Sequence, residues 1–343
     1  MAYRYLGNKA RISDWIGDIV EDRLPKGAVI ADPMCGTATM SETFAKRGLT
    51  VIASDQLRFP VLHAKARLLD VDKLDFKVIA TSYENALQIL NNLPPQKGFF
   101  WNEYSDEGTP VNGAKPRQYF TGENAAKIDA IRAKIKEWRH DGLEDDACDL
   151  LLHDLIFTIN DVANIAGTYG YYRSSWNKSS LKSLFLAPTI SNRFSLNHSV
   201  LQGNVEQIAA QINAEACYLD PPYTKRQYAG NYHILETIAQ EDEPTPAGEG
   251  GLRNWVPQAS NFCYKRHAKK ALRETLEQLK VRWVFLSYSE DGHVKSENLL
   301  SLLSEFGNVE KVEMPLERYS SNSGGNKTST VQEHLYILEK SVD

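Results

Sequence analysis

Residues 28–55 read AVIADPMCGTATMSETFAKRGLTVIASD and contain two apolar runs that each end in an aspartate. The first run ends at Asp32 and the second at Asp55, and a turn containing Gly36 and a helical pattern over 40–47 separate them. Apolar runs of this length, bounded by turn residues, are typical of buried strands. Strand, turn, helix and strand in so short a stretch form a βαβ unit, which predicts a parallel sheet and an α/β fold.

The turn after the first run is a candidate ligand site. Ligands bind at the carboxyl ends of parallel strands, and Gly36 lets a ligand approach the backbone. The turn is not the pyrophosphate-binding pattern G-x-G-x-x-G, because Ala38 and Ser41 fill the later positions. A plain tight turn is the alternative interpretation. Asp55 stands where an acidic residue commonly holds ribose hydroxyls. Together with Asp32 it suits a nucleoside without phosphate, such as S-adenosylmethionine.

Further apolar runs predict four more strands and one early helix. Residues 12–24 carry apolar positions at helical spacing, and Pro25 closes that segment. The predicted strands are 215–220, 282–288, 309–315 and 333–339.

Two stretches interrupt this pattern. Residues 95–200 open with loops and aromatic residues and continue with helical patterns over 124–138 and 150–167, the second ending near Gly167. They predict an inserted, mainly helical subdomain. Residues 241–251 (EDEPTPAGEGG) are rich in loop-forming residues and predict a mobile loop.

Composition restricts the classes of protein that remain. The chain has 343 residues, of which 42% are hydrophobic and 24% charged, an ordinary globular composition. The net charge of −5 argues weakly against a nucleic-acid partner but leaves room for a local basic patch. The four cysteines form no C-x-x-C pair and the eight histidines no H-x-x-x-H pattern, so we expect neither a disulfide framework nor a metal. Without a signal peptide or a stretch of roughly 18 apolar residues, a cytoplasmic protein with no membrane contact is expected.

The most specific motif is ACYLDPPY, residues 216–223. Pro221 and Pro222 remove two backbone donors and fix two φ angles, so the chain leaves a buried strand in a rigid turn. An exocyclic amine of a nucleobase is a poor nucleophile, because its lone pair is delocalised into the ring. Asp220 and the Pro221 carbonyl can accept both N–H bonds and draw that nitrogen toward an attacking geometry, while Tyr223 can stack on a base taken out of the helix.

With this motif the chain resembles the D12 class of adenine-specific DNA methyltransferases, the family that includes the bacterial Dam enzymes. Five segments carry the resemblance, in the family's alpha-type motif order: Tyr5-Leu6-Gly7-Asn8-Lys9, Asp32-Pro33-Met34-Cys35-Gly36 with Asp55, Gly203-Asn204, Asp220 to Tyr223 with the following 228–236, and 333–339. Ala38 replaces the second glycine of the cofactor loop, and Asn204 replaces the usual acid.

The resemblance implies a fold, a cofactor and residue roles. It implies a Rossmann-like S-adenosylmethionine-dependent methyltransferase sheet over 1–94 and 201–343, with residues 95–200 as a target-recognition insert. It implies catalysis by Asp220, Pro221, Pro222 and Tyr223. The implied cofactor-binding residues are Tyr5, Lys9, Asp32, Gly36, Asp55, Asn204 and Asp220.

Two stretches are candidates for DNA contact. Residues 168–183 interleave aromatic and basic side chains, which suits phosphate contact and base stacking, although a solvated loop gives the same pattern. Residues 264–273 form a basic run that is either a helix face on backbone phosphate or simply an exposed helix. The candidate residues are Arg173, Lys178, Lys182, Lys269 and Lys270.

We therefore expect site-specific transfer of a methyl group from S-adenosylmethionine to adenine N6 in double-stranded DNA, with a cognate restriction endonuclease as a potential partner. N4-cytosine methylation is the near alternative, because that amine presents the same chemical problem. RNA adenine or a protein glutamine amide fits the long insert less well. An alternative from another class is a DNA-binding module with an inactive cofactor site.

Overall fold

The computed structural model describes residues 4–79, 82–111, 114–189, 194, 196–318 and 329–341. The chain forms two compact units. Unit 1 consists of Met1–Asn8, Leu57–Phe194 and Tyr228–Gln258, and unit 2 consists of Lys9–Gln56, Ser195–Gln227 and Ala259–Asp343. Within the described residues, no helix combines the length and apolar character needed to cross a bilayer.

Unit 2 is built on a sheet of seven strands among the described residues. In chain order these are β1 (Val29–Asp32), β2 (Thr50–Asp55), β3 (Ser199–Gln202), β4 (Ala216–Leu219), β5 (Trp283–Ser289), β6 (Gly307–Arg318) and β7 (Ser329–Lys340). Their order across the sheet is β3-β2-β1-β4-β5-β7-β6. The first five are parallel to one another, which confirms the predicted parallel sheet. β7 is antiparallel to β5 and β6, because the short connection from β6 to β7 cannot make a parallel crossover.

The helices of unit 2 cover this sheet. They are α1 (Ser13–Glu21), α2 (Thr39–Lys46), α8 (Val205–Ile208), α11 (Ala268–Gln278) and α12 (Ser296–Leu303). α1 and α2 confirm the two early predicted helices. Of the basic run 264–273, only the part from Ala268 onward is helical. The predicted strands are confirmed, whereas β3 (SVLQ) was not anticipated, because four mostly exposed residues give no buried apolar run.

Unit 1 is mainly helical. Its helices are α3 (Arg58–Leu68), α4 (Tyr83–Asn92), α5 (Phe99–Tyr104), α6 (Gly122–His140), α7 (Asp145–Val162), α9 (Tyr228–Asn231) and α10 (His233–Gln240). The compact unit therefore takes in α3 and α4, which precede residue 95, and the segment 228–258 as well. A target-recognition role for 95–200 stays a prediction about function within this larger unit.

The prediction that the second insert helix continues to Gly167 is wrong, because α7 ends at Val162. Ala163 is extended, and the chain then pairs with its neighbours instead of continuing the helix. The Asn164 N–H donates to the Tyr119 carbonyl at 2.8 Å, and the Asn164 carbonyl accepts from the Arg173 N–H at 2.9 Å. These long-range bonds satisfy the backbone that an added helical turn would have used.

The loop at 241–251 is held in place by buried side chains, against the expectation of a mobile segment. Arg117, 2% exposed, donates to the Glu249 and Gly248 carbonyls and pairs with the Glu103 carboxylate at 2.8 Å. The Tyr104 hydroxyl donates to the Gly251 carbonyl at 2.8 Å. Composition predicts turns here, and the side chains that hold them lie more than a hundred residues away in the chain.

Replacement of Arg117 by methionine is expected to destabilise unit 1 by about 3–5 kcal/mol, because it leaves the buried Glu103 carboxylate without its cation. Urea denaturation measures the loss, and proteolysis near Gly248–Gly251 should become faster. The double variant Arg117→Met/Glu103→Met should be less destabilised than the single variant. Equal stability of Arg117→Met and wild type would show that the ion pair does not hold the loop.

Candidate active site

Four polar residues follow adjacent parallel strands at one edge of the unit 2 sheet. Asp32 and Asp55 end β1 and β2, Asn204 follows β3, and Asp220 follows β4. The strand order reverses direction between β1 and β4, and crevices at such switch points are where open α/β sheets bind ligands. Asp32 and Asp220 flank that point.

The loop after β1 is fastened to the end of β2. The Cys35 N–H donates to the Ser54 carbonyl at 3.0 Å, and the Gly36 N–H donates to Asp55 Oδ2 at 3.2 Å. Gly36 and Ala38 both have left-handed backbone angles, with φ of 52° and 56°. Glycine adopts this region freely, whereas alanine there costs about 1–2 kcal/mol. The backbone at Ala38 is thus one that suits the glycine which the family resemblance places there.

Asp32 is buried, and only half of its carboxylate is paired. Ser41 Oγ on α2 donates to Asp32 Oδ2 at 2.6 Å. Asp32 Oδ1 has no hydrogen-bond partner among the described residues. Burial raises the pKa of Asp32 to about 7, the Ser41 hydrogen bond opposes that rise, and the charges of Asp220 and Asp55 add to it.

Lys9, which is 6% exposed, lies between two carboxylates. Its Nζ is 3.1 Å from Asp220 Oδ1 and 3.6 Å from Glu333 Oε2 of β7. Burial lowers the pKa of Lys9, but the charges of Asp220, Tyr223 and Glu333 outweigh burial and raise it above its usual value. Lys9 is therefore an ammonium at neutral pH.

The pKa of Asp220 is raised to about 6, first by burial, against which Lys9 acts, and further by the charge of Glu333. The turn that follows is held from one side, since the His293 N–H donates to the Tyr223 carbonyl at 2.8 Å. The Tyr223 ring lies 5.6 Å from the ring of Tyr288 and 5.4 Å from Lys9 Nζ. Asp220, Pro221, Pro222 and Tyr223 thus leave the buried strand as a fixed turn beside the ion pair.

Two predicted cofactor residues, Asn204 and Tyr5, contact neighbouring parts of the protein in roles that do not involve a ligand. Asn204 Oδ1 accepts from the Glu206 N–H at 3.0 Å and caps the start of α8. Tyr5 belongs to unit 1, where its ring stacks on Tyr232 with centroids 5.0 Å apart and also packs against Tyr228. A role in cofactor binding stays a prediction for both residues.

The DNA candidates are exposed and divided between the units. Arg173, Lys178 and Lys182 lie on a loop of unit 1, and Lys269 and Lys270 lie on the first turn of α11 in unit 2. Lys270 makes an exposed pair with Glu274 at 3.5 Å. The described residues contain no group of three or more His, Cys, Asp or Glu side chains suited to hold a metal ion.

Comparison with known proteins identifies the family. The model of the D12 class N6 adenine-specific DNA methyltransferases matches residues 5–298. The chain belongs to this family. It is 30% identical to the type II methyltransferase M.NlaIII of Neisseria lactamica, over 98% of this chain and 99% of that protein. It is 30% identical to M.FokI of Planomicrobium okeanokoites over 99% of this chain, which spans only 53% of M.FokI. M.CviAII of Paramecium bursaria Chlorella virus 1 is 25% identical over 97% of each chain.

The family assignment makes the protein an N6 adenine-specific DNA methyltransferase whose methyl donor is S-adenosylmethionine. The residues at the sheet edge fit such a cofactor. Asp32 Oδ1 is a buried acceptor that has no partner among the described side chains, and the loop at Gly36 brings backbone close to the same edge. Buried acceptors of this kind are costly unless a ligand supplies the missing donor. Asp32, Gly36 and Asp55 are the residues that would hold the cofactor.

Two residues of this site were missed by sequence reasoning. Glu333 is 8% exposed in a strand that was noted only as closing the sheet. It stands at the edge of the apolar run EHLYILE, where charged residues are ordinarily exposed, so the sequence gives no signal of its burial. Ser41 was cited only as a departure from a glycine pattern, and its position on the first turn of α2 makes it the donor to Asp32.

Replacement of Asp32 by asparagine should change how stability depends on pH. The folded-state pKa of about 7 exceeds the unfolded value near 3.8, so the stability that Asp32 contributes is fully present below pH 3.8 and is lost as the pH rises through 7. The asparagine side chain does not titrate. The stability of the variant relative to wild type should therefore rise between pH 5 and pH 8, measured by urea denaturation. Parallel stability curves over that range would contradict a raised pKa.

Proposed function

We propose that this methyltransferase acts on a specific sequence of double-stranded DNA, takes the target adenine out of the helix and methylates N6 with Asp220 as the catalytic carboxylate. The carrying observation is the position of Asp220. It directly follows the buried strand β4, is held by Lys9 at 3.1 Å, and precedes a turn without competing backbone donors at Pro221 and Pro222. A base that stays paired inside a duplex cannot reach such a turn, so base extrusion accompanies the proposal.

The chain's own groups act on the nucleophile. The Asp220 carboxylate and the Pro221 carbonyl accept the two N–H bonds of N6, which localises the nitrogen lone pair. S-adenosylmethionine supplies a methyl group activated by a positive sulfonium. As the N–C bond forms and the S–C bond breaks, N6 loses one proton, and Asp220 is the acceptor at hand. Its pKa of about 6 leaves it ionised at neutral pH and still basic enough for this role. Tyr223 stacks on the adenine ring.

The rival interpretation is a DNA-binding module with an inactive cofactor site. The pairing of the buried Lys9 with the partly buried Asp220 and the half-paired Asp32 carboxylate speak against it, because each is costly to maintain in a fold that does not use it. The family description favours adenine over cytosine as the target base.

Contact with DNA phosphate is proposed for the exposed lysines of α11, and base reading for Arg173. The Arg173 backbone is fixed at both its N–H and its carbonyl by Asn164, whereas its side chain is exposed. Relatives are named type II methyltransferases and modification methylases. We therefore propose that a cognate restriction endonuclease accompanies the protein. All four cysteines are free and buried, which supports action in the reducing cytoplasm.

Asp220→Asn should lower the single-turnover methylation rate about 10²–10³-fold, because one pre-organised acceptor is lost at the reacting nitrogen. Saturating S-adenosylmethionine removes any effect of the substitution on cofactor affinity, and urea denaturation checks that the variant is folded. Asp75→Asn, on an exposed loop of unit 1, is the matched control and should keep the full rate. A near-normal rate for Asp220→Asn would remove Asp220 from the chemistry.

If Lys269 and Lys270 contact phosphate, replacing either with alanine should weaken binding to every duplex alike and lower the slope of log affinity against log salt by about one unit. Lys280→Ala, exposed on the same unit beyond the end of α11, serves as the control and should leave the slope unchanged. Binding is measured over a salt series with cognate and single-mismatch duplexes. A wild-type slope for both lysine variants would make the first turn of α11 a solvated surface.

A further inference from the structure

Glu333 is a buried acid on an interior strand of the sheet. It lies on β7 opposite Ser289 of β5 and Met314 of β6, and it is 8% exposed. Its Oε2 has no hydrogen-bond partner among the described residues and lies 3.6 Å from Lys9 Nζ. An acid in such a place destabilises the fold unless a nearby cation compensates it. Its one ion pair among the described residues is with Lys9.

The ammonium of Lys9 therefore contacts two carboxylates. Its contact with Asp220 Oδ1 is 3.1 Å and its contact with Glu333 is 3.6 Å. A lysine paired with Asp220 alone would hold that carboxylate's charge tightly and make it a weaker acceptor for the substrate amine. A second carboxylate on the same ammonium shares the positive charge and adds a negative charge of its own, and both effects increase the basicity of Asp220.

We propose that Glu333 is a positioning residue that shares the Lys9 ammonium with Asp220 and so keeps the catalytic carboxylate a strong acceptor for adenine N6. The proposal rests on the proposed role of Asp220. It assigns a function to the closing strand of the sheet, which otherwise only completes the fold. Glu333 touches no reacting atom and acts through Lys9.

Among the described residues, the following charged and titratable groups act on this arrangement. Asp220 is influenced by Lys9 and Glu333 and itself acts on Asp32 and Tyr218. Glu333 also acts on Tyr218 and on its chain neighbour His334, which in turn faces Glu313 and Lys311 of β6 and Glu290. Tyr223 faces Lys9 from the turn. Of these groups, only Lys9 and Glu333 are removed in the test below, and they have opposite signs.

The test is the pH dependence of the single-turnover methylation rate of the full chain, with saturating S-adenosylmethionine and cognate duplex, from pH 5 to 9. In wild type the rate should fall on the acid side with an apparent pKa near 6, the value for Asp220. Glu333→Gln should move this acid limb to lower pH, because the Lys9 charge then falls on Asp220 alone. Its plateau rate should drop, by less than the loss of about 10²–10³-fold expected for an Asp220 variant. Lys9→Met should move the acid limb to higher pH.

Three further variants separate the possible causes. Glu333→Asp keeps the charge and should keep the acid limb near the wild-type position. Glu339 lies on the same strand and pairs with Arg282 at 2.7 Å. The control variant Glu339→Gln should therefore leave the whole profile unchanged. Glu333→Met removes the charge in an apolar form and repeats the test should the glutamine variant fold poorly, with thermal denaturation as the check.

An acid limb that stays in place or moves to higher pH in both Glu333→Gln and Glu333→Met would overturn the proposal, even where the plateau rate falls. That result would leave the role of Asp220 intact. An active Asp220→Asn enzyme, by contrast, would overturn the proposed function itself, whatever the Glu333 variants do. The two failures are therefore distinguishable.

Discussion

The parallel pairing of β1 with β2 on one side and with β4 on the other is the constraint on which the site depends. Val29 to Asp32 pairs with Thr50 to Ala53, and Ile30 and Ala31 pair with Ala216 and Cys217. This register makes the three strands end at the same edge of the sheet, so their terminal carboxylates converge without any loop having to place them. A shift of one residue in either pairing would turn the strand residues to the opposite face of the sheet and separate these carboxylates.

Because these carboxylates converge, their negative charges repel one another, and little positive charge lies nearby to offset that repulsion. Asp32 is buried and Asp220 is partly buried at the edge, and the charge of Asp220 disfavours ionisation of Asp32. Hydrogen bonds stabilise two of the carboxylates: Ser41 donates to Asp32, and the Gly36 N–H donates to Asp55. At Asp220 the stabilising group is the ammonium of Lys9, a residue far from Asp220 in the sequence. The raised pKa values of Asp32 and Asp220 are in keeping with the ligand-binding roles proposed for them.

Local sequence was sufficient wherever the determining interactions are local. The βαβ unit at 28–55 follows from two apolar runs and a turn, and the rigid exit at Asp220 follows from two prolines. Sequence reasoning failed where distant partners decide. The anchoring of 241–251 requires Arg117 and Tyr104, and the end of α7 requires a backbone partner at Tyr119. β3 requires β2 as a template, because its own four residues give no strand signal.

The same distinction separates the site residues. The positions of Asp32, Asp55 and Asp220 at strand ends could be predicted, because strand ends are visible in the sequence. The pairing of Lys9 with Glu333 could not, because the two residues lie near opposite ends of the chain and only the sheet brings them together.

Asn204 stands where the family usually has an acid, and an uncharged residue there is consistent with the small amount of positive charge at this edge of the sheet. Its side chain caps α8 through the Glu206 N–H, a role that asparagine and aspartate fill about equally well. The capping requirement therefore does not discriminate between asparagine and aspartate. The negative charges around residue 204 do. Asn204 follows β3, whose neighbour β2 ends in Asp55, and Asp55 already acts on Asp32. An aspartate at 204 would add another negative charge to an edge at which Lys9 is shared by Asp220 and Glu333. Asparagine keeps the cap and retains a donor and an acceptor, so the edge can still contact a nucleoside without a further cation.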